Sequence, residues 1–196
     1  MSQSSTPFDV CIRGAGIVGR SLALLLAAQQ LRVALVHKGA TENSDSGHSD
    51  VRAYSLNVAA KQVLTDLRCW PEGAACTPIL QMQIQGDQGG DLRFDATEQG
   101  VEALNWMVDV PVLEKKLAEA VAYQTYIEEM TEPVSAPLTV ICEGRASQTR
   151  AELGVNFEVK HYAQHALACR IQTSAPHHQV AKQWFQNTHG PEILAF

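Results

Sequence analysis

The chain has 196 residues, 45% of them hydrophobic and 18% charged, with a formal net charge of −6. That length suits one domain, or one domain plus part of another, with enough apolar material for a core. The acidic balance without a basic cluster argues against a nucleic-acid binder, and no apolar run reaches transmembrane length. The polar residues 1–7 lack the apolar centre of a signal peptide, so the expected compartment is the cytoplasm.

Residues 8–12 are a short apolar run of β type. Gly14-Ala15-Gly16-Ile17-Val18-Gly19 follows, then a strong helix former over 21–28 and a second apolar strand over 31–36. Strand, GxGxxG, helix and strand in this order read as the first β-α-β unit of a dinucleotide-binding fold. Gly14 permits the tight turn, Gly16 lets the backbone approach a pyrophosphate, and Gly19 lets the helix pack on the strand. The first helical turn, with Ile17 and Val18, points free N–H groups and a partial positive charge at the phosphates. The alternative is a glycine turn in an ordinary α/β domain, but all three flanking elements agree with the nucleotide site. His37 ends the second strand, where an acidic residue normally takes the ribose hydroxyls. A neutral imidazole accepts one hydrogen bond there, and Glu42 or Asp45 could substitute from the polar loop at 38–50.

Residues 55–67 read as a helix with Leu56, Ala59, Ala60, Val63, Leu64 and Leu67 on one face, ended before Pro71. Residues 79–85 alternate as a strand, 86–90 form a turn, and 92–94 return as its partner. Residues 105–110 are a further strand. Pro111 suits the first turn of a helix over 112–122 that aligns Leu113, Leu117 and Val121. The run 138–142 suits a central parallel strand buried on both faces. Segments 162–173, 180–186 and 192–196 read as three β segments in series, an antiparallel sheet beside the nucleotide-binding part. The chain stops as a strand opens, so a fragment truncated at its C-terminus is expected.

Cys11, Cys69, Cys76, Cys142 and Cys169 form no CxxC pair, and Cys11 and Cys142 fall in expected buried strands, so reduced thiols are expected. His177-His178 lacks the companion ligands of a metal site, and no metal is expected. GxSxG, HExxH and P-loop motifs do not occur.

Four stretches together resemble the flavin-dependent aromatic hydroxylases of the UbiH/UbiF/VisC ubiquinone-biosynthesis group. They are residues 9–19; Asp50-Val51-Arg52-Ala53-Tyr54-Ser55-Leu56-Asn57 with Leu64, Leu67 and Trp70-Pro71 beyond; Val112-Leu113-Glu114-Lys115-Lys116-Leu117; and Val140-Ile141-Cys142-Glu143-Gly144-Arg145-Ala146-Ser147 with Arg150, similar to that group's Asp-Gly motif. Tyr162-Ala163-Gln164-His165-Ala166 and Gln183-Trp184-Phe185 through Gly190-Pro191 fit its substrate-domain strands. The resemblance implies bound FAD, NAD(P)H as reductant, O₂ as cosubstrate and hydroxylation of a polyprenylated phenol or quinol precursor of ubiquinone. It implies a group A flavin monooxygenase architecture: an α/β, Rossmann-like FAD-binding domain from 1–77 and 110–156, with an inserted antiparallel β-sheet substrate domain from 78–109 and 157–196.

Carried over by position, Gly14, Gly16, Ile17, Val18 and Gly19 line the FAD pyrophosphate and His37 takes the ribose. Arg52 lies along the cofactor, and Glu143-Gly144 lies near the pyrophosphate and the reductant path. The bland alternatives are a surface salt bridge for Arg52 and a solvated strand-end carboxylate for Glu143. Tyr54, His161, Tyr162 and His165 offer acid–base chemistry but are more often structural, so no catalytic residue is named. The lipid-like substrate implies a small-molecule partner and peripheral association with the inner face of the membrane or with a ubiquinone-biosynthesis complex. Oligomeric state stays open.

Some residues depart from the group's pattern. Arg13 puts a charge at the last strand position, to meet a phosphate or point out of the sheet end. Arg20 opposes the helix dipole in the first turn and could help bind an anion. Glu143 is one methylene longer than Asp, Pro111 stands where a basic or amide residue is usual, and 122–138 is short enough that extra strands are not expected there. The group's second FAD motif, of Gly-Asp-Ala-Ala-His type, does not occur and would lie beyond Phe196. Two alternatives therefore stand: a flavin oxidoreductase without oxygen insertion, and a non-catalytic binding or accessory protein on a Rossmann core.

Overall fold

The computed structural model describes residues 8–37, 50–162, 165–185 and 193–195. In chain order the elements are β1 (Val10–Arg13), α1 (Ile17–Ala28), β2 (Val33–Val36), β3 (Ala53–Leu56), α2 (Val58–Asp66), β4 (Cys76–Ile79), β5 (Gln81–Gln85), β6 (Asp91–Asp95), β7 (Asn105–Asp109), α3 (Val110–Ala122), β8 (Ile127–Met130), β9 (Leu138–Ile141), α4 (Gln148–Glu152), β10 (Val180–Trp184) and β11 (Ile193–Ala195). They divide into two compact units, Met1–Ser49 with Leu113–Leu167 and Asp50–Val112 with Ala168–Phe196. Residues 50–77, which the sequence reading places with the nucleotide-binding part, thus lie in the second unit, and 157–167 lie in the first. Among the described residues no helix is long and apolar enough to cross a membrane.

The first unit is built on a parallel sheet in the order β8-β2-β1-β9, with Val10 opposite both Val33 and Leu138. Val10, Cys11 and Ile12 of β1 and all of β2 are buried, as continuous apolar runs at the middle of a parallel sheet should be. Gly19, Ala23 and Ala27 recur every four residues on the buried face of α1, and small side chains there permit close approach to the sheet. The helix starts at Ile17 rather than at residue 21, because the glycine motif itself forms the first turn. Leu113, Leu117 and Val121 of α3 are buried at the same four-residue spacing.

Two expectations for this sheet need correction. Strand β8 lies within 122–138, where no extra strand is expected; its Glu128 and Glu129 are exposed on an edge, so no apolar run announces it. Strand β9 is parallel but sits at the edge of the described sheet, with Leu138 53% exposed. Cys142 follows β9 and is half-buried rather than inside a buried strand. All five thiols are free, and Cys11 is buried as expected.

The second unit holds an antiparallel sheet in the order β3-β7-β4 and a mixed sheet in the order β11-β10-β5-β6. In the mixed sheet β5 pairs with β6, and β10 with β11, antiparallel, while β10 runs parallel to β5. The alternating run at 79–85 is shared between the sheets: Ile79 ends β4, the Leu80 N–H donates to the Gln179 carbonyl, and β5 begins at Gln81.

Ser55 and Leu56 belong to β3, not to the helix expected from residue 55. Asn57 interrupts, and its Oδ1 accepts from the Ala60 N–H at 2.9 Å to cap α2. Leu64 is the buried residue of that helix, with Ala60 and Leu67 half-buried, whereas Ala59 and Val63 face solvent. Asn57→Ala is expected to lower stability by about 1 kcal/mol, read as a shift in the urea midpoint without a change in m-value.

The expected strand at 162–173 is absent among the described residues. Its described residues, 162 and 165–173, are exposed, Leu167 by 92%, and its β-type residues have no ladder partner among them. The later segments do pair, β10 with β11.

Candidate functional site

The glycine turn of the first unit places each glycine for a different reason. Gly14 has φ +113°, and an added Cβ would lie 2.4 Å from the Cys142 carbonyl oxygen. An added Cβ on Gly19 would lie 1.8 Å from the Gly14 carbonyl oxygen, so the helix rests on the turn it follows. Gly16 differs from both. Its φ of −76° suits any residue, it is exposed, and an added Cβ meets nothing within 4 Å. Nothing among the described residues requires glycine at 16, so the space above it is what the missing side chain leaves open.

Gly16 is also the N-cap of α1. No side chain caps it, and the first turn carries no acidic residue. Among the described residues the N–H groups of that turn have no side-chain acceptor, and the helix dipole adds positive potential. Arg20 follows in the next position, its Nε buried and without a hydrogen-bond partner among the described residues. Open backbone and uncapped amides at the helix start form a donor set that fits the pyrophosphate of a dinucleotide. His37 lies just past β2, half-buried, its N–H donating to the Met130 carbonyl at 2.9 Å. Glu42 and Asp45 lie outside the described residues.

Across the sheet, the turn after β9 is organised by Glu143. Its carboxylate accepts from Ser147 Oγ at 2.7 Å, Thr149 Oγ1 at 2.7 Å and the Thr149 N–H at 3.0 Å. Arg13 Nε stands 3.6 Å away, and Arg13 Nη1 lies 3.7 Å from Glu152. Ser147 in turn caps α4 by accepting from the Arg150 N–H. Glu143 is only 15% exposed, which pushes its carboxyl up. The hydrogen bonds from Thr149 and Ser147, with the Arg13 charge, outweigh this and hold it at about 2.

The carboxylate is thus neither solvated nor free: its lone pairs are occupied by the corner it builds. Arg13 is turned to carboxylates rather than left bare at the sheet end. Gly144, at φ +70°, reverses the chain beside a cavity of ≈ 300 Å³ whose lining includes Ile141, Gly144, Arg150 and Leu153. Thr149 is the contributor that sequence reasoning missed; its signal is the Ser-x-Thr start of a short helix after an acidic residue.

Arg52 belongs to the second unit. Its guanidinium grips Asp50, with Nη2 2.7 Å from Oδ2 and Nε 3.0 Å from Oδ1, and this bond holds the Asp50 carboxyl at about 2. Arg52 is therefore in an ion pair while its side chain remains 55% exposed. Tyr54, His161, Tyr162 and His165 are all exposed.

No protein-family model matches the chain. It is 24% identical over 193 residues to the 3-demethoxyubiquinol 3-hydroxylase of Escherichia coli (strain K12), covering 86% of this chain and 49% of that protein. It is 24% identical over 200 residues to the ubiquinone hydroxylase UbiL of Rhodospirillum rubrum, covering 90% and 46%. Among solved structures, PqsL, a probable FAD-dependent monooxygenase of Pseudomonas aeruginosa, matches with a TM-score of 0.61 at 20% identity over 80% of this chain and 48% of that one. The p-nitrophenol 4-monooxygenase PnpA of Pseudomonas putida DLL-E4 matches with a TM-score of 0.57 at 14% identity, covering 78% and 45%. The chain spans about half the length of the curated relatives it matches. By sequence the chain is similar to these ubiquinone hydroxylases, and its fold is similar to that of these solved monooxygenases.

Proposed function

We propose that this chain binds FAD at the glycine turn and serves a protein that hydroxylates an aromatic ring, a polyprenylated phenol or quinol precursor of ubiquinone, with NAD(P)H and O₂. The observation that carries the reading is Gly16, a glycine demanded by nothing among the described residues and standing over an uncapped helix start. In this reading the N–H groups of Ile17, Val18 and Gly19 donate to the pyrophosphate, with Gly14 and Gly16 leaving room for it. His37 accepts from a ribose hydroxyl, and Arg52 is proposed as a cofactor contact. Glu143 holds the start of α4, and Gly144 keeps the turn beside it clear. FAD, when bound, supplies the redox chemistry that activates oxygen.

Residues 1–77 and 110–156 are proposed as the FAD-binding part, and 78–109 and 157–196 as the substrate part. Peripheral association with the inner face of the membrane is proposed from the lipid-like substrate.

Flavin content is the test. The purified protein is expected to release FAD on heating and to oxidise NAD(P)H faster with a phenolic substrate, yielding a hydroxylated ring. A well-folded protein that takes up no FAD would overturn the reading. FAD with NAD(P)H oxidation but no ring product would replace it with a flavin oxidoreductase that does not insert oxygen.

A further inference from the structure

Arg170 lies in a segment without secondary structure, yet its guanidinium makes three hydrogen bonds to residues distant in sequence. Its Nη2 and Nη1 fork onto Oδ1 and Oδ2 of Asp109, the last residue of β7, and its Nε donates to the Val51 carbonyl at 3.4 Å. The partners are 61 and 119 residues away in sequence. A planar two-point grip on a carboxylate is among the stronger and more directional polar contacts. The next residue, Val110, donates its N–H to the Arg52 carbonyl at 3.1 Å. The backbone of Arg52 is therefore held on both sides: the Val51 carbonyl before it by Arg170, and its own carbonyl by the residue after Asp109. Its side chain is aligned by Asp50, which also accepts from the Arg52 N–H at 3.0 Å.

We propose that Arg170 is the positioning residue for Arg52: through Asp109 and the Val51 carbonyl it fixes the Asp50–Arg52 turn and so sets where the Arg52 guanidinium stands. Arg170 acts through Arg52 and touches no cofactor itself. The functional half of this inference rests on the proposed contact between Arg52 and FAD; the structural half does not. The Arg170–Asp109 pair is about half exposed on the arginine side, so its loss is felt locally rather than as loss of the fold. A lysine at 170 would keep the charge but replace the fork and the Nε donor by a single ammonium.

The test is a double-mutant cycle on FAD affinity, measured by quenching of flavin fluorescence. Arg170→Met is expected to weaken FAD binding on the order of ten-fold in the wild-type background and less than about two-fold when Arg52 is already Met, because coupled residues are not additive. Asp109→Asn should reproduce the loss, and Arg170→Lys should recover only part of it. An equal loss in both backgrounds, or an affinity within about two-fold of wild type in Arg170→Met while Arg52→Met is impaired, would overturn the proposal. If the chain takes up no FAD, or if Arg52→Met binds it normally, the reading of Arg52 as a cofactor contact falls. Hydrogen exchange of the Arg52 and Ala53 amides then decides the clamp. Exchange about ten-fold faster in Arg170→Met supports it, and unchanged exchange rejects it.

Discussion

Gly16→Val is expected to abolish FAD binding while leaving the thermal midpoint within about 2 °C of wild type. The two halves of this result come from separate observations. Stability is spared because Gly16 has φ −76°, lies exposed and has no atom of the described residues within 4 Å of an added Cβ. Valine forfeits roughly 0.5–1 kcal/mol as a helix N-cap, and the lower entropy of the unfolded chain offsets about 0.4–1 kcal/mol of it. Binding is lost because the isopropyl group fills the space that a pyrophosphate would take over the first turn of α1. A displaced diphosphate forfeits its N–H donors together, so at least roughly a hundred-fold loss in affinity, about 2.7 kcal/mol, is expected. Gly19→Ala is the opposite control. Its added methyl group would stand 1.8 Å from the Gly14 carbonyl oxygen, a clash between two backbone segments that cannot step aside. That substitution should cost roughly 3 kcal/mol or more in the urea midpoint. If Gly16→Val keeps its affinity for FAD, the phosphates do not lie over Gly16 and the proposed site is wrong.

The contrast between these glycines shows what the sequence makes legible. The order strand, GxGxxG, helix, strand is local information, and it yields β1, α1 and β2 because each element follows from a dozen adjacent residues. The motif already assigns the three glycines different tasks; the Cys142 carbonyl, more than a hundred residues on, is the contact at Gly14 that the sequence does not reveal. Strand β8 was illegible because Glu128 and Glu129 give an edge strand no apolar signature. Segment 162–173 misled in the other direction: its β-type residues meet no ladder among the described residues. The boundary at Asn57 was readable in principle, since an Asn before Val58 is an N-cap signal, but the apolar pattern from Leu56 masked it. Arg52 and Glu143 each carried two readings. The structure gives Arg52 its ion pair with Asp50, and it turns Glu143 inward to build a corner rather than leaving it in solvent. Such polar roles depend on partners such as Thr149 and Arg170 that periodicity does not reveal.

Glu143→Ala is expected to lower stability by roughly 2–3 kcal/mol at pH 7, and that deficit should shrink as the solution is acidified. The carboxyl is held at about 2 against an ordinary 4.5, because its hydrogen bonds with Thr149 and Ser147 and the Arg13 charge outweigh the burial that opposes them. A carboxyl whose folded value is depressed contributes stability that is fully present above its unfolded value. That contribution is lost as the pH falls through about 2. The gap between wild type and Glu143→Ala in urea midpoints should therefore be constant from pH 7 to about 5 and narrow steadily below pH 4. Glu143→Gln keeps an acceptor for Ser147 and Thr149 but loses the attraction of Arg13, so its midpoint should lie between the two. Asp50, also held at about 2 by Arg52, weakens with acid in the same direction. It does so equally in all three proteins and cancels from the differences. A deficit that persists unchanged at pH 3 would mean that the charge of Glu143 is not what holds the turn after β9.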